Sequence, residues 1–183
     1  DLHSFPTRRS SDLEMSVYAF DKEVLGVNGT LGRTSYHEVL LTGRFRKALK
    51  TLNPWLTDKQ LQECVERMTD HMSSQMLMQI NEQKYQYIKD GVPVTRVRSN
   101  GETEEVRAKV IDFASPEKND FLCVRELWVY GALYHRRADI VGFVNGLPLL
   151  FMELKNHDVE VVDAFNKNYR DYLDTIPQLF YHN

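Results

Sequence analysis

The sequence predicts an α/β sandwich in which helices flank a central mixed β-sheet, and three observations carry that prediction. Apolar residues recur at helical spacing from Ser35 to Asp90, the period switches to strand-like alternation after Gly91, and helical spacing returns from about Val159 to Leu173. The 183 residues, with 42% hydrophobic content, are enough for one modest domain with a real core. No run approaches the eighteen or more apolar residues that a membrane helix requires.

The first thirteen residues, Asp1 to Leu13, do not continue this pattern. They resemble a translated sequencing adapter, and no hydrophobic stretch follows Arg8-Arg9 as a signal peptide would need. Residues 1–13 are therefore expected to be non-native, and residues 14–183 to form the domain, shortened at both ends. Gly26 to Arg33 reads as a glycine-rich loop that lacks the strand-to-helix setting of a phosphate cradle. Ser35-Tyr36-His37-Glu38 has the form of a capping box, predicting a helix with Leu41, Phe45, Ala48, Leu49 and Leu52 on one stripe that stops at Asn53-Pro54. Thr57-Asp58-Lys59-Gln60 opens the next, with Leu61, Cys64, Val65, Met68 and Met72 aligned, and further helix runs to Asp90-Gly91. Met68, Met72, Met76 and Met78 are expected in an adaptable core.

Val92 to Arg98, the Asn100-Gly101 turn and the alternating Val106, Ala108 and Val110 predict a hairpin, and Phe121 to Tyr130 another strand. A second hairpin follows, Ile140 to Val144 and Leu147 to Met152, joined by Asn145-Gly146. Its strands are apolar enough to predict a central position covered on both faces.

This second hairpin carries the chemistry. Asp139 stands at its entry, and Glu153-Leu154-Lys155 closes its exit. An unmodified two-residue loop would pair Asp139 with Met152 and set Glu153 on the opposite face. A glycine bulge in the turn, or a bulge near Pro148, restores Asp139, Glu153 and Lys155 to one face. Asp139 and Glu153, with the backbone carbonyl of Leu154, would then offer hard oxygen ligands to one or two Mg²⁺ ions. Lys155 would position or deprotonate an attacking water, or stabilise the charged transition state. This is the layout of a metal-dependent nuclease.

Around that triplet the chain resembles the N-terminal nuclease domain of the restriction, or motor, subunit of type I restriction enzymes, in the PD-(D/E)xK nuclease superfamily. The resemblance runs from about Phe20 to the last residue. It rests on Leu40 to Phe45 with Leu52-Asn53-Pro54, Val110 to Phe113, Asn119 to Phe121, Ile140 to Asn156 and Ile176 to Phe180. Two departures stand out: Ala138 replaces the proline of the Pro-Asp pair, and Asn168-Tyr169-Arg170-Asp171-Tyr172 replaces a Gln-x-x-x-Tyr motif. The resemblance implies support of the site or of DNA by Asn168 and Tyr172. It also implies double-stranded DNA as substrate, cleavage after ATP-driven translocation by motor domains absent from this sequence, specificity and modification subunits as partners, and a cytoplasmic setting. The alternatives are a catalytically inactive docking or DNA-binding domain with the same fold, or a standalone nuclease.

A formal net charge of −3 provides no global attraction for DNA, so contacts would depend on local clusters such as Arg44 to Lys47 and Arg136-Arg137. Cys64 and Cys123 have no metal spacing and read as reduced core thiols. With no tetrahedral set of cysteines and histidines, a zinc site is not expected. His157, beyond Lys155, reads as a surface loop residue.

Overall fold

The computed structural model describes residues 15–19, 23–70, 75–155, 162 and 164–183. The adapter-like segment, Met72 and His157 lie outside the described residues. A four-stranded mixed sheet forms the centre, in the order β1 (Met15–Ala19), β4 (Phe121–Tyr130), β5 (His135–Val144) and β6 (Leu147–Met152). Strand β1 runs parallel to β4, whereas β4, β5 and β6 are successively antiparallel. The remaining strands, β2 (Val92–Val97) and β3 (Thr103–Ala108), form a separate two-stranded sheet.

Three α-helices precede that small sheet: α1 (Thr42–Leu52), α2 (Asp58–Thr69) and α3 (Leu77–Asp90). Helix α2 starts where its sequence says, because Thr57 Oγ accepts from the Gln60 amide while the Gln60 side chain accepts from the Thr57 N–H. Helix α1 does not. It begins at Thr42, seven residues after Ser35, and the Ser35 motif is spent on a local turn in which Glu38 accepts from the Thr34 amide and Ser35 Oγ from the His37 amide. The residues between serve tertiary contacts instead: Tyr36 O accepts from Tyr130 N–H, and Leu41 N–H donates to Gly146 O.

Two apolar cores result. One joins Leu122, Val124, Leu127, Val129, Val141 and Phe143 of the central sheet to Tyr172, Ile176, Leu179 and Phe180 near the C-terminus. The other packs Phe45 and Leu49 of α1 and Leu61, Cys64 and Met68 of α2 against Val92, Val94 and Ala108 of the small sheet. A fully buried Phe such as Phe45 contributes about 1.5–3 kcal/mol by removal from water. The methionines divide. Met68 is buried, but Met76 and Met78 at the start of α3 are 73% and 80% exposed, because they precede and open a helix whose inward positions are Ile80 and Lys84. Cys64 is buried and Cys123 half-buried, both free thiols.

The hairpin β5–β6 settles its register by the second of the two routes expected. Asn145 (φ 53) and Gly146 (φ 81) make a two-residue turn that pairs Val144 with Leu147, and the pairing slips by one residue beside Pro148, so that Gly142 faces Leu150 and Ile140 faces Met152. No three-residue glycine-bulge loop is formed. Strand β6 is also an edge strand rather than a central one, with Leu150 and Met152 52% and 43% exposed. Past the hairpin, the expected helix is seen from Ala164: residues Ala164–Tyr169 have π-helical bonding and Arg170–Thr175 form α4.

Candidate active site

Extending the β5–β6 pairing by one step from Ile140 and Met152 sets Asp139 opposite Glu153 at the open end of the hairpin. Asp139 Oδ2 accepts from the Leu154 backbone N–H at 2.8 Å, which ties the exit of β6 to the middle of β5. The Leu154 contact with Asp139 is thus made by its amide. Glu153 points into a set of donors. Its Oε1 accepts from Lys155 Nζ at 2.9 Å and from Asn168 Nδ2 at 2.8 Å, and its Oε2 from the Tyr172 hydroxyl at 3.2 Å. Its side chain is 12% exposed, so these partners compensate a carboxylate largely withdrawn from water.

Tyr172 is the hinge between sheet and helix. Its hydroxyl also lies 3.0 Å from the Arg137 carbonyl, and its ring meets Phe151 edge-on at 5.4 Å. Burial, reinforced by the negative charge of Glu153 and then of Asp139, pushes the Tyr172 hydroxyl well above its ordinary pKa, so it remains a proton donor. Asn168 and Tyr172, at i and i+4, share one helix face and reach the same carboxylate. One methylene shorter than glutamine, Asn168 still reaches Glu153.

The two arginines at the entry of β5 differ. Arg136 forms a bidentate pair with Asp171 of α4, at 2.5 and 2.8 Å, and lies over the Tyr134 ring. Their hydrogen bonding holds the Asp171 carboxyl below the usual range and the Arg136 guanidinium above its own. Arg136 is therefore committed to docking the helix. Arg137 is half-exposed and only loosely paired, at 3.7 Å, with Glu126.

Glu126 and Asp171 were not singled out by the sequence. Glu126 occupies β4 at φ 57, between the pairs Arg125 with Ile140 and Leu127 with Ala138, and therefore faces Asp139. The buried positions change parity there, from Leu122 and Val124 to Leu127 and Val129 on β4, and from Phe143 and Val141 to Ala138 on β5. The site thus sits where the sheet's alternation slips, a feature that becomes visible only once β4 and β5 are paired. A count of Asp171 back from Tyr172 would have placed it near β5, but nothing in its sequence neighbourhood names Arg136 as its partner.

Asp139 and Glu153 supply hard carboxylate oxygens. Among the described residues no group of three or more His, Cys, Asp or Glu side chains is placed to hold a metal. A pair of carboxylates suits Mg²⁺, which commonly takes one or two carboxylates and completes its shell with water and substrate phosphate. Among the described residues, no helix is long and apolar enough to cross a membrane.

Comparison with known proteins identifies the family of the chain. Residues 17–183 match the model of the family described as type I restriction enzyme R protein N terminus. The chain is 31% identical over 170 residues to the type I restriction enzyme HindI endonuclease subunit of Haemophilus influenzae, covering 91% of this chain and 16% of that protein. It is 33% identical over 153 residues to a Methanocaldococcus jannaschii protein provisionally named a type I restriction enzyme MjaIXP endonuclease subunit, covering 81% of this chain and 14% of that protein. The chain therefore spans only about a sixth of the length of these relatives. From the family match, the chain belongs to the type I restriction enzyme R protein N-terminal family.

Proposed function

We propose that this domain is the Mg²⁺-dependent endonuclease module of a type I restriction–modification system, hydrolysing phosphodiester bonds of double-stranded DNA with a PD-(D/E)xK site. The observation that carries this reading is the cluster around Glu153: Lys155, Asn168 and Tyr172 converge on one carboxylate whose neighbour across the hairpin is Asp139. Asp139, Glu153 and the Leu154 carbonyl would hold the metal. When bound, Mg²⁺ supplies Lewis acidity toward the scissile phosphate and lowers the pKa of a coordinated water.

The chain's own residues do the rest. Lys155, held 2.9 Å from Glu153, places a cation beside the carboxylates where an attacking water or a charged phosphorane needs one. Asn168 and Tyr172 fix the Glu153 rotamer from both oxygens, so the carboxylate is preorganised. Arg137, two residues before Asp139, is the arginine free enough to meet a DNA phosphate. ATP-driven translocation, and recognition with modification and specificity subunits, are proposed for the whole protein and lie outside these residues.

The test is made in a full-length subunit assembled with its partners, on a plasmid carrying the recognition site, with Mg²⁺ and ATP. Asp139→Ala, Glu153→Ala and Lys155→Ala should each abolish cleavage and leave ATP hydrolysis and translocation largely intact. Near wild-type cleavage by any one of them removes that residue from the mechanism. The isolated chain should cut DNA poorly; efficient cleavage by it alone would favour the standalone nuclease.

A further inference from the structure

A cavity of about 480 Å³ opens at the other end of the hairpin, between the glycine-rich loop, one side of α1 and the entry to β4. Asn145 N–H donates to Asp120 O at its rim, six residues of strand or roughly 20 Å from Asp139. Arg44, Lys47 and Lys118 contribute three cations to its lining, against the single carboxylate of Asp120. Asp120 holds Arg44 through contacts of 2.8 and 2.7 Å to its two oxygens, which orders that guanidinium in the wall. The ammonium groups of Lys47 and Lys118 enter no hydrogen bond or ion pair among the described residues. This concentration of positive charge stands in a chain whose formal net charge is −3.

Gly43 gives the cavity its meaning. Of the nine glycines, it alone has neither a positive φ nor an atom within 4 Å of where a Cβ would stand. It lies in the first turn of α1, two residues after the N-cap Leu41. Neither backbone conformation nor packing asks for glycine there. What a side chain would enter is the open space beside the cavity that Gly43 lines.

We propose that this cavity binds a phosphate group, brought in by the DNA backbone, with Lys47, Lys118 and Arg44 as its cations and Gly43 kept bare so that the phosphate can approach the helix. The DNA source rests on the nuclease reading above; the phosphate chemistry does not. The sugar–phosphate backbone is favoured over a free nucleotide because the described lining contains no aromatic ring on which a base could stack.

The experiment follows binding of the 183-residue chain to a short labelled DNA duplex by fluorescence anisotropy, in EDTA so that no bond is cut, over a range of salt. Binding by the unsubstituted chain should be weak and salt-sensitive. Gly43→Leu should leave the melting temperature unchanged or raised yet weaken binding about tenfold, while Lys47→Ala with Lys118→Ala should reduce the salt slope by roughly two. A parallel arm measures inorganic phosphate by thermal shift: stabilisation by millimolar phosphate that is lost in Gly43→Leu, without duplex binding, keeps the phosphate site and rejects DNA as its source. Unchanged duplex affinity and salt slope in both variants, or no response of the unsubstituted chain to either probe, overturns the proposal. Cleavage is not measured here, so loss of the phosphate site leaves the Asp139 and Glu153 test standing, and the reverse also holds.

Discussion

Two hairpins in this domain close on the same dipeptide, Asn100-Gly101 and Asn145-Gly146, and they have opposite fates. The first lies in solvent. Among the described residues Asn100 bonds only within its own turn, accepting from the Glu102 amide and donating to the Glu102 carboxylate, and a Cβ on Gly101 would meet nothing within 4 Å. The second is a keystone: Asn145 is fully buried, donates to Val110 O and Asn119 Oδ1, accepts from Asp120 N–H, and sends its own N–H to Asp120 O. Gly146 O receives Leu41 N–H, and a Cβ on Gly146 would stand 2.6 Å from Leu41 O and 2.9 Å from Phe45 N. The same local turn chemistry makes an independent arm in one place. In the other it fixes the register of the strands that carry Asp139 and Glu153.

The sharpest way to break this comparison is substitution of the two glycines. Gly146→Ala should cost about 3–4 kcal/mol, from a left-handed backbone plus contacts that force α1 away, whereas Gly101→Ala should cost about 1–2 kcal/mol from the backbone alone. Chemical denaturation measures both, and equal losses would mean that the buried turn is no more constrained than the exposed one. The asparagines come next. Asn145→Ala should cost about 3 kcal/mol because it strands several buried backbone groups, and Asn100→Ala about 0.5 kcal/mol, read by the same denaturation curves.

Buried and exposed charge provide a smaller contrast of the same kind. Lys84 is buried and caps the end of α2 through Arg67 O and Asp70 O, and burial lowers its pKa from 10.5 to about 8. Between those values the unfolded chain binds the extra proton, so stability should rise with pH from about 8 to 10.5, by about 1–3 kcal/mol. Lys84→Met should lack that increment when the two proteins are unfolded in parallel across the window. The exposed cluster of Arg96, Arg98 and Glu104 should instead show only salt sensitivity. The smallest effect separates two look-alike capping motifs: Thr57→Ala should lower stability by about 1 kcal/mol, and Ser35→Ala by less than about 0.5 kcal/mol, since only the first caps a helix.

Much of the site was legible because carboxylates at the ends of an apolar hairpin announce themselves. Asp139, Glu153 and Lys155 could be set on one face by counting, since strand parity survives whichever bulge supplies the missing residue. Which bulge supplies it could not be read: a bulge beside Pro148 and a longer glycine turn leave the same parity. A supporting role for Asn168 and Tyr172 came from the resemblance, but neither their shared partner Glu153 nor the π-helical bonding of Ala164–Tyr169 left a mark in the periodicity. Ser35 to Glu38 misled because a capping box is a statement about hydrogen bonds within four residues, and those residues found better partners elsewhere.

By itself, then, the sequence determined the elements whose causes are local: the capped start of α2, the stop at Asn53-Pro54, both Asn-Gly turns, the strands from Val92 onward and the acidic pair at the hairpin's open end, but not β1 at Met15–Ala19. Tertiary structure decided what depends on partners distant along the chain. It placed β6 at the edge, set Glu126 across from Asp139, bound Arg136 to Asp171 and buried Asn145 while leaving Asn100 in water. The physical reason is range. Turn, cap and alternation preferences act over a few residues and can be counted along the chain, whereas burial and long-range hydrogen bonds belong to whichever surfaces the folded chain brings together.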